Sequence, residues 1–159
     1  MGAKGEALAK QFEAKVQEAT AVLEKLSDTD WKKTTAAEKW TVGVTAHNIA
    51  GAYEPVAQII QTVATGETVP HFTTEMLDQM NATHAVEHAG CTRPETIALH
   101  KKGAAAAAAV VRDLSDEQLA KSGIVFAGVP PMTAEQLVMK GLLGHIDEHF
   151  GSIRKTIGG

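Results

Sequence analysis

A chain of 159 residues, 44% of them hydrophobic, carries enough apolar material for one core, and a single domain over residues 1–159 is expected. Fifteen Lys plus Arg against nineteen Asp plus Glu give a net charge of −4, without the basic excess of a nucleic-acid binder. The lone Cys91 excludes an internal disulfide and fits a reducing, cytoplasmic setting. The opening MGAKGEALAK has no apolar core of a signal peptide, and the longest apolar run, Ala104–Val111, is far below the roughly 20 residues of a membrane span. Neither export by that route nor a membrane partner is expected.

The pattern is helical nearly throughout. Leu8, Phe12, Val16, Ala19, Leu23 and Leu26 recur at steps of three and four, which predicts a first helix with one apolar stripe. Thr41 reads as the N-cap of a second helix running to about Val63. After Pro70, a shorter third segment is expected from about Thr73 to His88. Thr92 with Glu95 reads as a capping box for a fourth helix reaching about Leu114. Its run Ala104–Ala109 suits close helix packing, because alanine favours the helix and adds little bulk. Ser115 to Gln118 predicts one short helical turn, and 123–131 a strand or loop. Thr133 with Gln136 opens the last helix, to about Ile157. The expected fold is all-α, a four-helix bundle with an additional short helix between the second and fourth long helices.

No glycine-rich phosphate loop, GxSxG elbow or CxxC pair is present, and seven histidines stand out. His145 and His149, in GHIDEHFGSI, lie within about 40° of each other at about 100° per residue. That face also carries Ala134, Val138, Leu142 and Ile153, which turns both imidazoles toward the bundle. Two inward histidines one turn apart can chelate one metal ion, and equally can be packed core histidines. His84 and His88 repeat the spacing, with Cys91 continuing their face as a rival, softer site. Gly90 and Thr92-Arg93-Pro94 are expected to end that helix before Cys91 joins it. His47, in KWTVGVTAHNIAGAYEP, falls opposite the aliphatic Ile49, Val56, Ile60 and Val63. Its face is either wet or the lining of a polar cavity, and periodicity does not choose. Gly51, one turn on, leaves room beside the imidazole. Trp31 and Trp40 are expected to anchor their loop to the core.

Together, WTVGVTAHNIAG, DQMNATHA and GHIDEHFGSIR resemble the DinB/YfiT-like superfamily of metalloenzymes, in matching order from Trp40 to about Arg154. The resemblance implies a four-helix bundle holding a divalent metal with three histidines, a role that falls on His47, His145 and His149. It turns His47 toward the cleft. It also implies a low-molecular-weight thiol as cofactor, since the superfamily includes mycothiol-dependent maleylpyruvate isomerase and bacillithiol transferases. Homodimers are common among its members, and no feature of the sequence marks an interface.

Three neutral imidazoles on zinc or nickel leave an open position for a thiol, which the metal's charge would drive to thiolate. A small electrophilic substrate would then be attacked in a transfer or isomerisation. Glu54 shares the His47 face about two turns away and is the candidate general base or positioning partner, with a solvated carboxylate as its plain alternative. Asn81 and His84 are candidates to line the cleft. Two other functions compete: a metal- or small-molecule-binding bundle without turnover, and a metal-dependent hydrolase.

Overall fold

The structure is a computed structural model that describes residues 2–158. Helix α1 (Ala3–Lys25) is followed by the short α2 (Asp28–Lys32), then α3 (Val42–Ala64), α4 (Thr74–Glu87), α5 (Arg93–Arg112) and the one-turn α6 (Asp116–Leu119). A minimal antiparallel ribbon pairs β1 (Ser122–Gly123) with β2 (Met132–Thr133), Ser122 opposite Thr133. The last helix comprises α7 (Ala134–Leu137), a π-helical stretch Val138–Gly144 and α8 (His145–Thr156).

The caps expected at Thr41, Thr92, Ser115 and Thr133 form, and the structure adds one at Thr73. Thr41, Thr73 and Thr92 accept hydrogen bonds from the backbone N–H groups of Val44, Met76 and Glu95, satisfying donors the first turn would orphan. Ser115 with Gln118 and Thr133 with Gln136 close full capping boxes. At Thr92 only the threonine half of the box is present. Ser27, just past the end of α1, caps α2 in a box with Asp30.

Helices α1, α3, α5 and the last helix form the four-helix bundle, with α3 and α5 the most extensive pair. The alanine run explains this pairing. Gly103, Ala104, Ala107, Ala108 and Val111 make the buried stripe of α5, and a side chain at Gly103 would meet the Ala50 carbonyl oxygen at 3.1 Å. Small residues thus bring the two backbones together, and larger ones fill the core around them. Phe12 meets Tyr53 edge-on, ring centroids 5.3 Å apart, and both are almost wholly buried, as is Phe150. The Tyr53 hydroxyl reaches Nδ1 of the buried His100 at 3.1 Å, so this core histidine has a polar partner.

The shorter α4 lies outside the bundle against α3 and has no buried residue. Trp31 packs on the core and lies over Gly43, where a side chain could not fit, and its Nε1 donates to the Cys91 carbonyl at 3.0 Å. That bond ties α2 to the α4–α5 connection. No helix among the described residues is long and apolar enough to cross a membrane.

A candidate metal centre

His47, His84 and His88 gather where α4 covers α3, and His145 and His149 lie together on the last helix. His47, buried on α3, has Nδ1 2.9 Å from Nε2 of His84 on α4, so one ring donates to the other. Its ring stacks on His88 with centroids 4.2 Å apart, and His84 lies 4.4 Å from His88. One ligand atom from each of the three lies within 4.8 Å of the others, close enough to share a cation. The rival site read from the sequence is therefore altered. His84 and His88 are present, but His47 takes the place of Cys91. Helix α4 ends at Glu87, and the Cys91 thiol is buried away from this cluster beside Thr96.

On the last helix the centroids of His145 and His149 are 4.5 Å apart with their rings at right angles. They do not join the three-histidine group. The apolar stripe of α8 is Ile146, Phe150 and Ile153, and the two histidines sit beside it, half-buried, rather than within it. The π-helical stretch upstream shifts the phase on which a uniform 100° per residue relied.

Periodicity could not reveal what holds His149. Glu38, in the loop between α2 and α3, has its Oε2 2.7 Å from His149 Nδ1, and its Oε1 accepts from Ser152 at 2.6 Å. Only 7% of its side chain is exposed. Burial works to raise the Glu38 pKa, but hydrogen bonds from Ser152, Thr35 and His149 outweigh it and hold the carboxyl below its ordinary range. With Nδ1–H given to the carboxylate, His149 keeps Nε2 free. This is the usual way a metal-ligating imidazole is fixed in tautomer and direction.

Burial lowers the pKa of His47, with the neighbouring His88 adding to the effect. Burial, helped by His88 and His47, brings His84 to about 4, and burial with His149 alongside brings His145 to about 4. All three are neutral near pH 7, the form that binds a metal.

His84 and His145 also line one cavity of about 340 Å³, together with Asn48 and Asn81, whose amides are hydrogen-bonded at 3.2 Å. Gly141, in the π-helical stretch, forms part of the wall. A side chain there would meet Val56 at 3.0 Å, so glycine permits the close approach to α3. Gly51 also lines the cavity, but the ring it makes room for is His84, 3.5 Å from where a Cβ would stand. Glu54 is exposed on α3, while its neighbours Ala52, Pro55 and Val56 face the cavity.

Two solved structures are similar over 98% of this chain. One is mycothiol-dependent maleylpyruvate isomerase, with a TM-score of 0.69 and 15% identity, and the other is a mutant form of it, with a TM-score of 0.72 and 13% identity. At such identity the likeness shows a shared fold. The chain spans 61% of the length of each. No curated protein matches the sequence significantly. Residues 12–140 match the family described as the mycothiol maleylpyruvate isomerase N-terminal domain, a segment that contains His47 and stops short of His145 and His149. On that match, over most of its length, the chain belongs to the mycothiol maleylpyruvate isomerase N-terminal domain family.

Proposed function

We propose that this chain is the metal-binding domain of a thiol-dependent isomerase or transferase acting on a small electrophile, with His47, His145 and His149 as ligands. The observation that carries the reading is the Glu38–His149 contact. A buried carboxylate holding Nδ1 of one histidine, one turn from a second that burial keeps neutral, is the support a ligating pair needs. His47 is treated likewise by His84, which engages its Nδ1 and leaves Nε2 for a ligand. An all-imidazole donor set suits zinc or nickel. When bound, such an ion would favour the thiolate form of a low-molecular-weight thiol, supplying a nucleophile at neutral pH.

The residues themselves would position the reactants. The Asn48–Asn81 amides and the His84 ring present polar groups to a molecule in the cavity, and the rest of the wall offers it apolar contact. Glu54 keeps the role of general base only if it turns inward from its exposed position on α3. The single buried thiol is in keeping with the reducing cytoplasm.

A second reading has its own observation: His47, His84 and His88 already lie within reach of one cation. Metal content and affinity in four single alanine variants separate the two. Under the proposal, His47→Ala, His145→Ala and His149→Ala lose most of the bound zinc, while His88→Ala retains it. Retention in His145→Ala with loss in His88→Ala would overturn the ligand set and establish the second. Full metal loading with no thiol-dependent turnover of any electrophile would favour a binding bundle, and turnover without thiol a hydrolase.

A further inference from the structure

The geometry points to an uncharged, largely apolar molecule with one polar head as the ligand of the cavity beside the histidines, and not a dicarboxylate. The inference rests on reading this cavity as the substrate site, and it names the substrate class. The cavity wall is apolar: Ile59 and Val56 from α3, Leu77 and Met80 from α4, and Phe72 and Phe126 from the flanking loops. The two phenyl rings lie 5.8 Å apart and are fastened by the Ala127 N–H donating to the Phe72 carbonyl at 2.8 Å, which makes a fixed aromatic end.

The polar lining is two amides and two imidazoles. Among the described residues no lysine, arginine, aspartate or glutamate lines this cavity. One carboxylate of a dianion such as maleylpyruvate could reach an ion held by His47, His145 and His149, but the second would have to give up its hydration with no charged side chain to receive it. A neutral molecule meets no such cost.

The polar groups are few and local. The Asn48–Asn81 hydrogen bond uses one N–H of Asn48 and the carbonyl oxygen of Asn81, and leaves three N–H donors and the Asn48 carbonyl oxygen of the pair over. Pro55 has no N–H to give to the Gly51 carbonyl four residues earlier, so that oxygen lacks its α-helical donor, and both residues border the cavity. These groups cluster on α3 and α4 near His84, so one end of the space is polar and the other aromatic. An apolar space with a few convergent polar groups is the common form of a small-molecule site.

The test uses two ligands of one skeleton, neutral dimethyl phthalate and dianionic phthalate, titrated calorimetrically into the full chain at pH 8. At that pH an ordinary imidazole is uncharged. The chain is first stripped of metal, so that chelation of phthalate contributes nothing, and is then reloaded with zinc. In the stripped protein the ester should bind at least tenfold tighter than the dianion. Phe126→Ala should weaken the ester at least fivefold, and Ile59→Arg should raise affinity for phthalate. Leu77→Ala, half-buried on α4 outside the bundle core, gives a second wall variant whose folding is not at stake. Equal or tighter binding of phthalate, no binding of either, or unchanged ester affinity in both wall variants would overturn the inference. Failure of the metal reading shows separately, as absent zinc with the ester preference intact.

Discussion

The two long faces of α3 live in different regimes. Toward α1 and α5 it presents Ile49, Tyr53, Ile60 and Val63, all nearly inaccessible and locked among close-packed neighbours. Toward α4 it presents His47, Asn48, Gly51 and Pro55, set against a helix with no buried residue. Histidine makes the contrast plain. His100 in the core meets Tyr53 and closes a packing problem, whereas His47 meets two more histidines at the edge of a cavity. One face carries stability, and the other carries groups that a stability criterion alone would not select.

The sharpest way to break the first face is Phe150→Ala, in the core where α8 closes the bundle. Losing that ring should cost about 3–5 kcal/mol, read by denaturant unfolding. Acid should come next. His84, His100 and His145 have folded pKa values near 4 against about 6.5 unfolded. Below pH 6.5 the unfolded chain takes up protons that the folded metal-free chain refuses. Their contribution is therefore complete above that pH and falls away toward pH 4. The buried His100 alone should account for roughly 2–3 kcal/mol of the loss. A melting temperature that does not fall between pH 7 and pH 4.5 would contradict it.

On the second face Glu38→Gln should weaken zinc binding by about 10–100-fold while the metal-free chain keeps its cooperative unfolding, read by competition with a chelator. The smallest effect is expected on α4, where Val86→Ala should change stability by less than about 0.5 kcal/mol. Amides of α4 should exchange with solvent well before those of α3, with few buried contacts to hold them. Protection in α4 equal to that in α3 would erase the distinction between the faces.

The helices were legible because stripes and caps are local signals. Leu8 to Leu26, Thr41 and Thr133 mark their elements with nothing but sequence spacing. The site was legible in part. His84 with His88, and His145 with His149, show as pairs, but that His47 would meet the first pair depends on which helix covers its face, a tertiary fact. Glu38 had no signal at all. It precedes Lys39, whose φ of 63° turns the chain in an irregular loop where no period operates. The π-helical stretch was equally silent, with only Gly141 and Gly144 hinting at an unusual backbone.

That stretch has a consequence for how the chain tolerates change. Its wider turns set the angular phase of everything downstream, so Ile146, Phe150 and Ile153 face the core while His145 borders the cavity and His149 meets Glu38. Rewinding Val138–Gly144 as a regular α-helix of the same length would swing all five by about 100° at once. The hydrophobic seal and the histidine pair are thus mechanically geared to each other. A slip that discarded the pair would open the bundle in the same stroke, so the pair can be changed by substitution far more easily than by a change of helical phase.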